Sequence, residues 1–374
     1  MFCTLCNNDN LKKYNEYATL PRVTSDTKPF PKGGNLCFCA NCGFVQKPLD
    51  RKLEKELGEI YSDYTPFFQS KNDTQTVFIG DRKVSRCEEI LRRINILCPL
   101  NQQGSILDFG CGLGNFLAET HKIAPNASLY AYDLSDKNRK QLQKIPTFQE
   151  FYFGDLANIN KKFDLVTLVH SLEHIPNPRE VLSHIRENLL TENGKIFIQV
   201  PNCFISSFDI LIADHIGHFT RNSLDYLLES SGFKKFQEDL DWIPKELSFL
   251  GEKITSDNVI KNFGDFSFSD TIPNTIQVFH NMLETLESYE SFGVFGTAIS
   301  ATWLAGSMEK KIEFFIDEDT SRVGKNYMGK KILSPDQVPS GSVVFLPFHK
   351  NLCEILINKH RKNAWDFQLI VPRF

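Results

Sequence analysis

Histidines and carboxylates are concentrated in two short stretches of the sequence, and these residue types point to proton transfer. His170, Glu173 and His174 lie in HSLEHIPNP, and Asp214 and His215 lie in DHIGHFT. The chain has nine histidines in 374 residues, so their density in these two stretches is high. An imidazole titrates near neutral pH and can accept a proton during a reaction. For each histidine taken alone, the alternative is a hydrogen-bonding residue of the fold.

Four cysteines form two C-x-x-C pairs, a spacing typical of a zinc knuckle. They are Cys3, Cys6, Cys39 and Cys42. Two such pairs supply four thiolates, which complete a closed tetrahedral site, so we expect a structural Zn²⁺ that takes no part in chemistry. The alternative is that the first pair lies in a disordered terminus. Cys37 alternates with Cys39 in LCFCA, and we expect it to be a packed thiol and not a ligand.

The stretch SILDFGCGLGNFL, residues 105–117, predicts a strand, a tight turn and the start of a helix. Asp108 precedes three glycines, Gly110, Gly112 and Gly114. Glycine permits a positive φ and lets a ligand approach the backbone closely. The G-x-G-x-G spacing differs from the G-x-G-x-x-G of dinucleotide sites and favours S-adenosylmethionine over NAD. The alternative is a glycine turn with a purely structural role.

Further acids and glycines follow later predicted strands. Asp133 ends the second strand and is placed to accept hydrogen bonds from ribose hydroxyls, the alternative being a helix N-cap. Asp155 follows FYFG and is expected to contact the adenine amine. The predicted cofactor residues lie in these turns and in the loop after the fourth strand: Asp108, Gly110, Cys111, Gly112, Gly114, Asp133, Leu134, Gly154, Asp155, Leu156 and His170.

Strands and helices alternate along the middle of the chain, which predicts an α/β fold with a doubly wound, Rossmann-like parallel sheet. We predict helices over 49–57 and 81–97, strands over 128–132, 163–169 and 195–200, and a helix capped by Thr220. In such sheets the ligand lies at the carboxyl ends of the strands, where both histidine stretches fall. The ordered set of motifs, with DFGCGLG first, resembles class I S-adenosylmethionine-dependent methyltransferases.

The whole chain resembles the sugar C-methyltransferase family of deoxysugar biosynthesis. That family combines an N-terminal zinc module, a class I methyltransferase core and a C-terminal Rossmann-like domain. Its site motifs are a tyrosine before the core, matched near Tyr64, a histidine after strand four, matched by His174, and a Tyr-x-Glu-His segment. Here the last segment is Ile212, Asp214 and His215, so isoleucine replaces the tyrosine and aspartate replaces the glutamate.

The resemblance implies that a nucleotide-linked 4-keto sugar loses a proton beside its ketone and that the enolate carbon takes the methyl group. We expect His215 to be the base, oriented by Asp214, with His174 or Tyr64 contacting the developing oxyanion. For Tyr64 the alternative is a hydrophobic plug in YSDYTPFFQS, with Tyr61, Phe67 and Phe68. Because isoleucine cannot hydrogen-bond an enolate oxygen, O- or N-methylation of a sugar or another small metabolite stays open. So does a non-catalytic protein that keeps the cofactor fold.

The C-terminal third predicts a second, smaller parallel sheet. Gly296 follows its first strand, and Asp317 ends the next strand at the distance of a ribose contact. Gly296, Thr297 and Ala298 are small enough to admit a diphosphate, and the resemblance implies that this unit helps to enclose the nucleotide-sugar. The alternative is a structural α/β platform.

Composition limits the partners and the compartment. Lys plus Arg number 42 against 46 Asp plus Glu, a net charge of −4, which predicts neither a nucleic-acid partner nor an anionic membrane. Without an apolar stretch near the ~18 residues of a bilayer span, or a signal peptide, we expect a cytoplasmic protein. The sequence carries no signal for an oligomeric state. The predicted units are a zinc module (1–50), a connector (51–103), a methyltransferase domain (104–243), a linker (244–275) and a C-terminal Rossmann-like domain (276–374).

Overall fold

A computed structural model of the protein describes residues 1–65, 76–79, 82–102, 104–236, 241–254 and 270–373. Three features predicted above lie wholly or partly outside these residues: Phe67 and Phe68 of the aromatic cluster, the first residue of the helix predicted over 81–97, and residues 255–269 of the linker. In the described part of the chain, no helix combines the length and the apolar character that crossing a bilayer requires.

Short strands and helices of ordinary length make up the structure. Numbered in chain order, the strands are β1 (Leu11–Lys13), β2 (Arg22–Val23), β3 (Pro29–Phe30), β4 (Cys37–Cys39), β5 (Val45–Gln46), β6 (Thr76–Ile79), β7 (Arg82–Ser85), β8 (Ser105–Phe109), β9 (Ser128–Asp133), β10 (Phe148–Phe153), β11 (Phe163–Val169), β12 (Leu190–Pro201), β13 (Gly217–His218), β14 (Phe233–Lys235), β15 (Glu246–Lys253), β16 (Phe292–Phe295), β17 (Ile312–Ile316), β18 (Asn326–Tyr327), β19 (Lys330–Leu333), β20 (Val343–Phe345) and β21 (Gln368–Ile370). The α-helices are α1 (Arg51–Ser62), α2 (Arg86–Leu97), α3 (Asn115–Ile123), α4 (Arg139–Leu142), α5 (Pro178–His184), α6 (Arg221–Ser230), α7 (Thr271–Glu287), α8 (Ile299–Met308) and α9 (Lys350–Asn363).

The central sheet has seven strands in the order β10-β9-β8-β11-β12-β15-β14. β8 to β12 run parallel, and β15 is antiparallel to both of its neighbours. Apolar side chains of α2 and α3 belong to one buried cluster against this sheet, and those of α5 and α6 belong to another. Helices therefore cover both faces, and the predicted doubly wound, Rossmann-like fold is confirmed.

Local signals fixed several boundaries correctly. The strand predicted over 163–169 has those bounds in the structure. Thr220 caps α6, because its side chain accepts a hydrogen bond from the amide of Ser223. The helix predicted over 81–97 begins only at Arg86, where Ser85 is the N-cap, and the residues just before it form β7, paired with β6.

The C-terminal unit has a six-stranded sheet in the order β18-β19-β17-β16-β20-β21. All its neighbouring strands pair in parallel except β18, which is antiparallel to β19. α8 is buried along most of its length, with Trp303 fully buried in its middle. The predicted smaller parallel sheet is therefore present.

The N-terminal cysteine module joins the other two units. Its sheet has the order β1-β4-β5-β13, so its last strand, residues 217–218, comes from the middle of the chain. On its other side, Tyr17, Leu20 and Val23 share one buried cluster with residues of α7 and α8. The indole Nε1 of Trp303 donates to the carbonyl of Pro21 at 2.9 Å. The module is therefore packed against both units.

Candidate functional site

The glycine turn after β8 is fixed by backbone conformation and by packing. Gly110, Gly112 and Gly114 have φ angles of 80°, 50° and 79°. A Cβ on Gly110 would lie 2.5 Å from the Cβ of Ser171, and one on Gly114 would lie 2.3 Å from a methyl carbon of Leu142. Since both approaches are impossible for any other residue without movement, this turn needs glycine at these positions. It leads directly into α3, whose N-terminus can face an anionic or polar ligand.

Asp133 closes the turn from the end of β9. Its Oδ2 accepts from the amide of Gly112 at 3.0 Å, and its Oδ1 accepts from the amide of Leu134 at 2.7 Å. Burial raises its pKa despite these two hydrogen bonds. A carboxylate oxygen has room for a second donor, so both oxygens are still able to accept hydrogen bonds from a ribose.

Asp108 lies inside the sheet and beneath the turn. It is 3 % exposed, and its Oδ1 accepts from the hydroxyl of Thr167 on β11 at 2.8 Å. Burial raises the pKa of Asp108 to about 7. Cys111, the residue between the first two glycines, is also buried.

The edge predicted to hold the adenine is open. Gly154 has a φ of 75°, and no heavy atom lies within 4 Å of where its Cβ would be. Its carbonyl accepts from the hydroxyl of Tyr132 at 2.7 Å. Asp155 is exposed, and its Oδ1 caps the short 3-10 helix that begins at Leu156 by accepting from the amide of Ala157 at 2.9 Å. Leu134, across this edge, is 72 % exposed.

His170 is held by both ring nitrogens. Nδ1 lies 3.1 Å from Oε1 of Glu173, and Nε2 lies 3.1 Å from Oε2 of Glu246. Burial, helped by Arg86, lowers the pKa of His170 to about 3, so the ring is neutral and donates from one nitrogen only. The contact at the other nitrogen requires a proton on the facing carboxyl group, and burial raises the pKa of Glu173. Both ring nitrogens of His170 are therefore used in contacts with carboxyl groups of the protein.

His174 presents one open nitrogen. Its Nδ1 lies 3.0 Å from the carbonyl oxygen of Asp214 and 3.1 Å from the hydroxyl of Tyr61 on α1. A carbonyl only accepts, so Nδ1 carries the hydrogen and Nε2 is unprotonated in the neutral ring. Burial lowers the pKa of His174, which favours that neutral ring. The Tyr61 oxygen shares the Nδ1 hydrogen, and its own hydroxyl hydrogen is left for another acceptor.

His215 is paired with a carboxylate that the sequence analysis did not select. Its Nδ1 lies 2.6 Å from Oδ1 of Asp209, and Nδ1 of His218 lies 2.6 Å from Oδ2 of the same residue. The predicted orientation by Asp214 is therefore wrong. The carboxylate of Asp214 accepts instead from Ser25, at 2.8 Å from its amide and 2.5 Å from its hydroxyl. Adjacent side chains in this loop point in different directions, whereas Asp209 approaches the ring from the preceding 3-10 helix.

The candidate side chains lie close together. The rings of His174 and His215 are 4.7 Å apart between centroids, at 84°. Tyr64 lies beside Tyr61, with ring centroids 5.6 Å apart, but its hydroxyl lies 3.0 Å from the hydroxyl of Ser25. Of the two tyrosines, Tyr61 thus reaches the imidazoles directly, and Tyr64 reaches them through Ser25 and Asp214.

The histidine loops are packed on the cofactor turn. The hydroxyl of Ser171, which follows His170, donates to the carbonyl of Phe109 at 2.9 Å. The amide of Ile216 donates to the carbonyl of Glu173 at 2.8 Å, which joins the second loop to the first. The imidazoles therefore lie beside the glycine turn, at the carboxyl edge of the sheet.

Lys47 supports the His215 loop from the cysteine module. It is 2 % exposed, and its Nζ donates to the carbonyls of Ile212 at 2.5 Å and His215 at 2.8 Å. Burial lowers its pKa to about 7. In the sequence it stands in FVQKPLD, where a lysine reads as a surface residue, so no local signal identifies it.

The four predicted zinc ligands form one cluster. Sγ of Cys3 lies 3.5 Å from Sγ of Cys42, Sγ of Cys6 lies 3.5 Å from Sγ of Cys39, and all four sulfurs lie within 4.8 Å of one another. Tetrahedral zinc with bonds of about 2.3 Å places its sulfurs about 3.8 Å apart, so the cluster fits Zn²⁺. Cys37 is buried and lies outside this cluster.

At the turn after β16, which the sequence predicts to bind a nucleotide, the side chains of Thr297, Asp317 and Arg322 contact one another. The hydroxyl of Thr297 donates to Oδ2 of Asp317 at 2.5 Å. A guanidinium nitrogen of Arg322 lies 2.9 Å from that hydroxyl and 3.3 Å from the same carboxylate oxygen. Gly296 has a φ of 93°. The amide of Asp319 donates to Oδ1 of Asp317 at 2.9 Å, so Asp317 already has three partners, and Arg322 brings a positive charge to the turn.

Comparisons with known proteins identify a methyltransferase domain in part of the chain. Residues 81–238 match a protein-family model described as a methyltransferase domain. The chain is 30 % identical over 119 residues to a ubiquinone biosynthesis O-methyltransferase of Glaesserella parasuis, covering 29 % of this chain and 49 % of that one. It is 26 % identical over 149 residues to a trans-aconitate 2-methyltransferase of Deinococcus radiodurans, covering 39 % and 54 %. The chain thus spans about half the length of these curated relatives.

A solved O-methyltransferase family protein of Burkholderia thailandensis has 16 % sequence identity and a TM-score of 0.38, covering 45 % of this chain and 56 % of that one. From the family match and the sheet order, the chain contains a class I S-adenosylmethionine-dependent methyltransferase domain.

Proposed function

We propose that the protein transfers a methyl group from S-adenosylmethionine to a nucleotide-linked keto sugar, at the carbon beside the ketone. The observation that carries this proposal is the pair of imidazoles, His174 and His215, which lie beside the glycine turn with their Nδ1 atoms engaged. In the neutral form of each ring, a methyl acceptor bound at this edge would meet an unprotonated Nε2 next to the methyl donor. S-adenosylmethionine, when bound, supplies an electrophilic methyl group.

The residues around the turn fit that cofactor. Gly110 and Gly112 have the positive φ angles of a tight glycine turn, and Asp133 offers carboxylate oxygens to the ribose hydroxyls. Asp155 and the open Gly154 turn would contact the adenine. These assignments are supported by the positions of the residues along one edge of the sheet.

In the proposed reaction His215 is the base. The proton on the carbon beside the ketone passes to Nε2 of His215, and the electron pair of that C–H bond moves into the enolate. The enolate carbon then bonds to the methyl group as the methyl–sulfur bond breaks. Base catalysis of this kind contributes about 10²–10⁴-fold to a rate.

The enolate oxygen needs a hydrogen-bond donor, and Tyr61 is the best placed. Ile212 has no donor in its side chain, and the Tyr64 hydroxyl lies at Ser25. The Tyr61 hydroxyl lies 3.1 Å from Nδ1 of His174, which already carries a hydrogen, so the tyrosine hydrogen is available to the substrate. Burial raises the pKa of Tyr61 well above its ordinary value and keeps that hydrogen in place.

Two further groups belong to the proposal. The C-terminal unit would enclose the nucleotide, and the guanidinium of Arg322 near the Gly296 turn would attract the diphosphate. Because Asp317 already accepts hydrogen bonds from Thr297 and Arg322, a ribose contact there is less favourable. In the cysteine module, Cys3, Cys6, Cys39 and Cys42 would hold a structural Zn²⁺ with no position open for chemistry.

Solvent exchange tests the reaction class. The protein is incubated in D₂O with a nucleotide-linked 4-keto sugar, first without S-adenosylmethionine and then with it. We expect deuterium to enter beside the ketone without the methyl donor and a C-methylated product with it. Methyl transfer without such exchange would instead establish the O- or N-methylation alternative, which the missing hydroxyl at Ile212 favours.

A cofactor titration tests the remaining alternative. We expect S-adenosylmethionine to bind with micromolar affinity, measured by calorimetry. No binding, or binding with no transfer across a panel of sugar nucleotides, would contradict the proposed activity and favour a non-catalytic protein.

A further inference from the structure

Asp209 is buried between two histidines, in the middle of the 3-10 helix (Ser207–Leu211) that precedes the His215 loop. It is 2 % exposed, and each of its carboxylate oxygens lies 2.6 Å from an Nδ1 atom, Oδ1 from His215 and Oδ2 from His218. Six residues separate it from His215, and it belongs to none of the motifs that selected the site.

The hydrogen-bond pattern fixes the tautomer of both rings. An ionised carboxylate only accepts hydrogen bonds, so each Nδ1 must carry a hydrogen. In the neutral form of His215 the other nitrogen, Nε2, then holds the lone pair. His218 has the same tautomer, but it is fully buried, and its Nε2 has no partner within the described residues. Only His215 can therefore use its lone pair on a substrate.

Neighbouring charges keep Asp209 ionised. Burial alone would raise its pKa, but His218 and His215 outweigh burial and lower the pKa of this carboxyl. Burial would likewise lower the pKa of His215, but the carboxyl groups of Asp209, Glu173 and Asp214 together outweigh burial, Asp209 contributing most, and the pKa is raised. Other charged or titratable groups also interact with this pair: Glu173, His174, Asp214, Lys47, His170, Cys203 and Tyr17.

We propose that Asp209 is the positioning residue of the base: it holds the Nδ1 hydrogen of His215, leaves the lone pair of the neutral ring on Nε2, and is itself held by His218. This inference rests on the proposed role of His215. His218 occupies the second oxygen, so the carboxylate cannot rotate away from His215 without losing a charge-assisted hydrogen bond. A carboxylate that orients a catalytic histidine acts through that residue and does not touch the substrate.

Asp209→Asn tests the proposal with little change in shape. The amide nitrogen of asparagine donates, so one of the two histidines must turn an unprotonated Nδ1 toward it. We expect kcat to fall about 10²–10⁴-fold, with the dissociation constant for S-adenosylmethionine unchanged. The acid limb of the kcat/KM profile should move to lower pH, because the raised pKa of His215 depends on Asp209. A base works only when deprotonated, so activity in the parent protein declines below that raised pKa.

Two control variants separate positioning from folding. Asp225→Asn makes the same change at a carboxylate that pairs with Lys235 at 2.9 Å, away from the loop, and should leave kcat and the pH profile unchanged. His218→Asn places an amide donor near the former Nδ1 and should retain kcat within about tenfold. Equal losses in Asp209→Asn and Asp225→Asn would overturn the proposal.

A tautomer measurement decides the matter independently of turnover. With ¹⁵N-labelled histidine in the full chain and His215→Gln to assign the signal, we expect the parent His215 to be protonated at Nδ1 and Asp209→Asn to alter its tautomer or its pKa. A parent His215 protonated at Nε2, or one unaffected by Asp209→Asn, would overturn the inference. If the parent protein methylates no sugar nucleotide, the proposed function fails, whereas the tautomer result still decides the role of Asp209.

Discussion

At the residue level, the three histidines nearest the cofactor turn differ in which nitrogen they leave open. His170 uses both nitrogens on carboxyl groups, whereas His174 and His215 each use only Nδ1. The assignments for His174 and His215 follow from their partners, since a carbonyl or an ionised carboxylate forces the ring nitrogen to be the donor. Two adjacent rings thus present lone pairs, and His170 instead supports the loop that carries them.

Tyr61→Phe tests the hydroxyl that would meet the enolate oxygen. Removal of one donor to a developing oxyanion costs about 10²–10³-fold in kcat, and we expect a loss of that size in steady-state kinetics on the methylated substrate. Tyr64→Phe is the matched variant on the neighbouring ring, and it should cost less than Tyr61→Phe because its hydroxyl contacts Ser25. If Tyr64→Phe were the more damaging change, the roles assigned to the two hydroxyls would have to be exchanged.

Single-residue signals in the sequence were strong only where the chemistry requires a fixed spacing. The C-x-x-C pairs and the glycine turn are such signals, and the structure brings each set together. Asp209, Tyr61 and Lys47 have no such spacing. Each of them contacts its partner only because the folded chain brings the two together. The sequence therefore favours Asp214, which is adjacent to His215, over Asp209.

At the level of elements, buried strands were the easiest to predict. β11, FDLVTLV, is mostly apolar and largely buried, and such a strand is typical of the centre of a parallel sheet. The two-residue strands of the cysteine module have no periodicity to detect. No local pattern predicts β13 either, because its pairing with β5 joins segments that are distant in the chain.

Gly110→Ala tests the tight contact between the cofactor turn and the histidine loop. Alanine at positive φ costs about 1–2 kcal/mol, and here its Cβ would also lie 2.5 Å from the Cβ of Ser171. We expect a larger loss of unfolding free energy than in Gly329→Ala and at least about tenfold weaker cofactor binding, or about 1.4 kcal/mol. Gly329 is the control, because it has a φ of 76° and no atom within 4 Å of its Cβ position. Urea unfolding and calorimetry that failed to separate the two variants would argue against this contact.

Lys47→Met tests whether the cysteine module positions the His215 loop. The change leaves the carbonyls of Ile212 and His215 without their buried donor, which costs about 1–3 kcal/mol for each group left unsatisfied. A displacement of about 1 Å at a catalytic group can cost about 10²-fold, so we expect kcat to fall by at least about tenfold, with cofactor affinity retained.

Lys253→Met is the control for Lys47→Met. Its Nζ also donates to a backbone carbonyl, that of Leu190 at 2.9 Å, but at the opposite edge of the sheet. We expect this variant to keep its kcat. A loss of kcat in Lys253→Met equal to that in Lys47→Met would show that general destabilisation, and not loop position, is responsible.

For the whole molecule, the cysteine module is the structural link between the two sheets. It shares a strand pairing with the methyltransferase domain and a buried apolar cluster with the C-terminal unit. The sequence predicted the three units and their order, but a contact such as Trp303 with Pro21 joins residues at opposite ends of the chain and leaves no local pattern. Damage to the module should therefore affect both domains.

Cys39→Ser, with Cys37→Ser as its control, tests this coupling. Both cysteines lie on β4 and both are buried, but only Cys39 belongs to the four-sulfur cluster. We expect about one zinc per chain in the parent protein and in Cys37→Ser by elemental analysis, and less in Cys39→Ser. Binding of structural zinc is worth about 10 kcal/mol or more in small domains, so its loss should unfold the module. Unfolding would release β13 and Lys47 from the His215 loop. We therefore expect kcat and the melting temperature to fall together. Loss of zinc with kcat unchanged would mean that the loop keeps its position without the module.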